Sequence, residues 1–230
     1  MILPIGDDQV QGGHRPIFAY SLIAINSLVF LYEFSLSHEL VEKFILGYGA
    51  IPDEILNGQD YYTLITSMFL HGGWFHIIGN MLFLWVFADN IEAVIGSFNF
   101  IIFYLFGGII ASVIHIFFNP YSEIPMVGAS GAISAVLGAY LIMFPASRIK
   151  VLLIIFFAVF YVPAIFFLGI WIVQNIIAGI GVLNDQAPES SGVAWWAHIG
   201  GFAFGVIIGF IIRSFYKNRY RYVSQEEHNV

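Results

Sequence analysis

The sequence predicts an all-α membrane protein, a bundle of six transmembrane helices with a long first outer loop. Three observations predict it. Of 230 residues, 59% are hydrophobic and 10% are charged, against about 25% charged in ordinary soluble domains. Six apolar stretches reach or approach the roughly 20 residues that a spanning helix needs. With six crossings, every basic residue except Lys43 falls on one side of the bilayer. The chain has no cysteine, so no disulfide or thiolate metal site is available. Its net charge of −7 is not that of a nucleic-acid binder.

Residues 1–16 are polar and glycine-rich, carry no apparent cleavable signal, and form an expected cytoplasmic segment. The spans expected within a membrane domain over 17–213 are 17–34, 74–91, 98–118, 127–144, 163–180 and 193–212. Residues 61–70 are apolar but too short to span, and lie in the outer loop 35–73. The stretch 151–183 is too long for one simple span and too short for two. Pro163 favours a helix start there, which leaves 151–162 as an interfacial or buried entry segment of open conformation. Residues 214–230 form a basic-to-polar tail. Arg15, Arg148, Lys150, Arg213, Lys217, Arg219 and Arg221 then share one side, which the positive-inside rule makes cytoplasmic. Two crossings within 151–183 would move the basic tail outside. Asp89 and Glu92 are read on an inner loop, where acidic residues contribute little to the rule.

This topology gathers polar residues in one leaflet. The second, fourth and sixth spans all enter from the outer face, and their first turns carry His76 and Asn80, Ser130, and His198. Polar side chains inside a bilayer are costly, so their default reading is functional. Gly201, Gly205 and Gly209 recur every four residues on the sixth span, and Ser130, Ser134 and Gly138 on the fourth. Such small faces let helix backbones approach closely in lipid. They serve packing whatever the function, and packing of these two would bring Ser130 near His198.

Gly128 and Gly131 flank the serine, where glycine permits a tight turn and a close approach. At a helix mouth Ser130 is either an N-cap or a nucleophile among unpaired backbone N–H groups that can hold an oxyanion. Gly-x-Ser-Gly alone favours the cap. His76 and Asn80 share a helix face and suit either a second part of an oxyanion hole or a structural hydrogen-bond network. His71, His76 and His198 also offer a metal three imidazoles. However, the spacing of five between His71 and His76 is not that of a His-Glu-x-x-His helix, and no acid joins them. The fourth, fifth and sixth spans contain no carboxylate, so a Ser-His-Asp triad is not expected and a Ser-His dyad stays open. No role follows from the sequence for Gln174 or Asn175.

His76-x-x-x-Asn80, Gly128-x-Ser130-Gly131 and Ala197-His198-x-Gly200-Gly201-x-x-x-Gly205 resemble the three signatures of rhomboid intramembrane serine proteases of bacterial type. The resemblance covers about 15–213. It implies Ser130 as nucleophile and His198 as general base. His76, Asn80 and the Ser130 backbone N–H would hold the oxyanion, and Gly128 with Gly131 would shape the nucleophile turn. It further implies transmembrane protein substrates within the lipid bilayer, no metal or organic cofactor, and a gate formed by the fifth helix with loop 184–192. The expected location is the bacterial inner membrane, with both termini cytoplasmic and the active site toward the outer face. Two departures stand out. Residues 35–73 hold no Trp-Arg pair, and Ser134 occupies a position where some members place a tyrosine under the histidine. Two other readings remain: a catalytically inactive relative that binds transmembrane clients, and a transporter or channel. The first predicts loss of serine or histidine, and both are present. The second predicts polar residues along both leaflets, whereas here they gather in one.

Overall fold

The computed structural model describes residues 2–8, 15–183 and 193–215. Five described helices are long and apolar enough to cross a membrane: α1 (Ile17–Ser35), α5 (Trp74–Ile95), α6 (Ser97–Phe118), α8 (Ala164–Leu183) and α9 (Trp195–Phe215). A shorter apolar helix, α7 (Ser130–Met143), joins them. The chain is therefore a multi-pass membrane protein with a helical bundle. Between α1 and α5 run three short helices, α2 (His38–Tyr48), α3 (Pro52–Leu56) and α4 (Thr63–Thr66). They lie within the outer loop 35–73.

The bundle is built around α7. Its residues Gly131 to Tyr140 are all buried, whereas α8 exposes Ile165, Phe166, Ile170, Val173 and Ile177 on a surface suited to lipid. Glycine explains how α9 reaches α7. A Cβ on Gly201 would overlap the Gly131 carbonyl, one on Gly205 the Ala135 carbonyl, and one on Gly138 the Phe202 carbonyl. The α9 glycines therefore meet Gly131, Ser134, Ala135 and Ala139, so the seam takes in Ser134 and Gly138 of the expected face together with the row one residue further on. With 14 residues, α7 is about 21 Å long at 1.5 Å per residue, shorter than the roughly 30 Å hydrocarbon core. It starts three residues later than the expected 127, because Gly128 adopts φ +122° and breaks the helical path. Its mouth is consequently recessed.

At the opposite end of α7 the expected entry segment is a β-hairpin. Strand β2 (Arg148–Leu153) pairs antiparallel with β3 (Ala158–Pro163), from Arg148 opposite Pro163 to Leu153 opposite Ala158. Strand β1 (Ile2–Gly6), from the segment read only as polar, adds to β2 and makes a three-stranded sheet of order β1-β2-β3. Asp7 and Asp8 then reach the bundle. Asp8 accepts from the Ser147 hydroxyl at 2.9 Å and from the Arg148 backbone at 2.8 Å. Asp7 accepts from the Tyr140 hydroxyl and from Asn90.

Asp89 and Glu92 are not on a loop. The second span continues to Ile95, and Glu92 is fully buried. Its carboxylate accepts from the backbone N–H groups of Phe18 at 3.1 Å and Ala19 at 2.8 Å. These are first-turn donors of α1, which have no acceptor within their own helix. Lys217, Arg219, Arg221 and loop 184–192 lie outside the described residues. Of the other basic residues, Arg148 and Lys150 sit on the sheet. Arg213 donates to the Ile142 carbonyl near the same end of α7, whereas Lys43 lies on α2.

Candidate active site

The recessed mouth of α7 opens into a cavity of about 600 Å³ lined by His76, Asn80, Ser130, Trp171, Ala194 and His198, among others. Three helix starts converge here because α5, α7 and α9 run in one direction through the bundle. Ser130 is the first residue of α7, and the capping position belongs to Ala129, with no side-chain capping bond. The N-cap reading of Ser130 is thereby replaced. Its Oγ lies 2.8 Å from His198 Nε2 instead. A serine hydroxyl at a helix mouth normally satisfies a backbone N–H; here it is directed to an imidazole on another helix. The first-turn N–H groups of α7 lack intrahelical acceptors and carry the positive end of the helix dipole.

His76 and Asn80 lie over the turn that precedes the serine. A Cβ on Gly128 would sit 2.6 Å from His76 Nε2 and 3.6 Å from Asn80 Nδ2, so only glycine fits under them. Gly128 N–H donates to the Ser67 carbonyl at 2.8 Å, pinning the turn to the first outer loop. Gly131 is not part of this turn. It is inside α7, where a Cβ would crowd Ala111, and its smallness serves the contact with α6 and α9.

One amide hydrogen of Asn80 is already engaged, with Nδ2 3.0 Å from His71 Nε2. Burial, and then the neighbouring His76, push the His71 pKa down to about 4. The ring is therefore neutral and can accept from the amide. An amide nitrogen has two hydrogens, so Asn80 keeps one donor for the cavity. His71 is held in turn by α1, whose Glu33 accepts from its backbone N–H at 3.2 Å. His71 thus serves as the support of Asn80, a role the sequence did not reveal because nine residues separate the pair.

His198 is bounded by aromatic rings from two directions. Trp171 of α8 lies with ring centroids 5.7 Å apart and planes at 33°. Trp195 meets the imidazole edge-on at 6.2 Å. These rings give His198 the aromatic contact for which a tyrosine four residues after the serine was looked for. Ser134, at that position, turns its hydroxyl back to the Ser130 carbonyl at 2.6 Å. Asn175, to which the sequence assigned no role, has its Oδ1 2.7 Å from His198 Nδ1. Its signal was an amide side chain, one of two adjacent ones with Gln174, on an apolar helix. Among the described residues, no group of three His, Asp or Glu side chains is placed to hold a metal ion.

Comparison with known proteins adds a family. The model of the Rhomboid domain matches residues 58–215, well over half the chain. Rhomboid protease GluP of Bacillus subtilis is 34% identical over 58% of this chain and 26% of its own length. Rhomboid protein 1, mitochondrial, of Saccharomyces cerevisiae is 28% identical over 86% of this chain and 54% of its own length. Presenilin-associated rhomboid-like protein, mitochondrial, of Rattus norvegicus is 29% identical over 86% of this chain and 49% of its own length. The chain spans about half or less of the length of these relatives.

Proposed function

The chain belongs to the rhomboid family, and from that premise we propose that it is an intramembrane serine endopeptidase cutting transmembrane protein substrates. Ser130 is the nucleophile and His198 the general base. The single observation that best supports this is the 2.8 Å contact of Ser130 Oγ with His198 Nε2 at the recessed mouth of α7.

His198 Nε2 takes the hydroxyl proton as Oγ attacks the scissile carbonyl carbon. The carbonyl oxygen becomes an oxyanion, held by the Ser130 backbone N–H together with the His76 and Asn80 side chains. The C–N bond then breaks, and the proton on Nε2 passes to the leaving amine. Water, deprotonated by the same imidazole, cleaves the acyl ester and restores the serine. A cavity of about 600 Å³ at this helix mouth has room for that water. We place the serine end at the outer face, with both termini, the sheet and the tail in the cytoplasm. Arg148, Lys150 and Arg213 at the sheet end support this placement. Residues 17–213 constitute the membrane domain, and the exposed helix α8 is the side by which a substrate enters.

A peptide bond inside a helix is hydrogen-bonded and shielded, so the substrate must unwind locally. Substrates with glycine or other helix-breaking residues near the outer end are expected to be cut in preference to a polyleucine helix. The test is reconstitution in liposomes with a transmembrane substrate. Wild type cleaves, and Ser130→Ala and His198→Ala each lose at least about a thousandfold in rate. Cleavage persisting in Ser130→Ala removes the nucleophile assignment.

A further inference from the structure

A neutral imidazole has one N–H and one lone pair, and only the tautomer with its lone pair toward the serine can accept the serine proton. At His198 the neighbouring helix makes that choice. Asn175 on α8 is buried, with 4% of its surface exposed. Its Nδ2 donates to the Trp171 carbonyl one turn earlier at 2.7 Å. A carbonyl accepts only from the nitrogen of the amide, so Oδ1 is the atom turned to His198, 2.7 Å from Nδ1. An acceptor at that distance calls for Nδ1–H as its donor. The Nε2 lone pair is then left facing Ser130 Oγ. Trp171 contributes twice, through the carbonyl that orients the amide and through the ring against the imidazole.

We propose that Asn175 is a positioning residue for the reaction, completing a Ser130–His198–Asn175 relay drawn from α7, α9 and α8. It holds His198 in the Nδ1–H tautomer and in line with Ser130, and its amide oxygen steadies the imidazolium formed when Nε2 takes the proton. Asn175 accepts no proton and touches no substrate. The proposal rests on the reading of Ser130 and His198 as nucleophile and base. The residue type suits its place: an aspartate would give the same instruction but would put a charge inside a membrane helix, which is costly when unpaired. An amide oxygen supplies direction without that charge. This also explains how a histidine with no carboxylate on the fourth, fifth or sixth span is still oriented.

The test uses the full chain in liposomes with one transmembrane substrate, measuring kcat, KM and the pH profile of kcat/KM. The ionisable groups facing His198 are His76 from α5 and His115 from α6; α7 and α8 bring none near it, and all variants share these two. Asn175→Leu is expected to lower kcat by roughly 10- to 100-fold, with KM changed by no more than about twofold. Asn175→Asp restores kcat to within about fivefold of wild type and moves the acid limb of the profile to higher pH, because a carboxylate beside Nδ1 favours the imidazolium. Wild-type kcat in Asn175→Leu overturns the proposal. If Asn175→Leu fails to fold, an Asn175→Asp variant with an unshifted acid limb overturns it as well. Ser130→Ala, run in parallel, separates the two levels. An active Ser130→Ala sinks the protease reading itself, whereas an inactive Ser130→Ala beside a fully active Asn175→Leu removes only the role of Asn175.

Discussion

A methyl group on Gly128 would meet His76 Nε2 at 2.6 Å, and its φ of +122° is one that side-chain-bearing residues rarely adopt. Gly128→Ala is therefore expected to displace the turn that carries Ser130, and to reduce cleavage far more than it reduces the thermal midpoint in detergent. Asn80→Ala removes a proposed oxyanion donor and should cost about 10²-fold in kcat, read from initial rates at saturating substrate. His71 provides a pH signature of the same region. Its pKa is about 4 in the folded protein, against an ordinary value near 6.5. Between these values the unfolded chain binds a proton that the folded one refuses. Stability from this group is thus complete above about pH 6.5 and declines as the pH falls toward 4. Thermal unfolding in detergent across that range should decline less steeply in His71→Phe than in wild type. Equal slopes would contradict the account of His71 as a buried neutral acceptor.

Elements carry the next level of cost. A Cβ at Gly205 would already overlap the Ala135 carbonyl oxygen, and that backbone cannot retreat as a flexible side chain would. Gly205→Val is expected to lose about 3 kcal/mol or more, seen as a loss of folded protein at wild-type expression or as a much lower thermal midpoint. Glu92→Ala leaves the Phe18 and Ala19 donors without their acceptor. It should cost about 1.5–3 kcal/mol, the range for bonds to a charged group, with α1 the first helix to exchange its amides. The five long spans were legible because the hydrocarbon core imposes their length and their apolar character. Less legible were features decided by long-range contact. Glu92 reads as a loop residue until α1 is seen to lay its first turn on the carboxylate. The residues 151–162 alternate too weakly to reveal a hairpin, and their partner strand lies about 150 residues away in the chain. The serine, histidine and asparagine signatures were visible as short motifs, but Asn175 carries none. Its place beside His198 arises from the packing of α8 on α9.

The molecule has two ends with different work. At one, three helix starts bring Ser130, His198, His76 and Asn80 to a shared cavity; at the other, Asp7 and Asp8 tie the N-terminal strand to α5, α7 and β2. Asp8→Ala should lower the thermal midpoint by a few degrees, from the loss of about 1–2 kcal/mol in a chain of this size. Cleavage of a transmembrane substrate should stay within about twofold of wild type, because the length of α7, about 21 Å, separates Asp8 from Ser130. A large loss of kcat in a folded Asp8→Ala would show that the two ends are coupled. The claim on which the functional reading turns is that Ser130 is a nucleophile made reactive by His198. Incubation of the reconstituted protein with a fluorophosphonate, followed by peptide mass mapping, tests it most directly. The reading predicts a single adduct on Ser130, formed in wild type and strongly reduced in His198→Ala. An unmodified Ser130, or equal labelling in the His198→Ala variant, would contradict it.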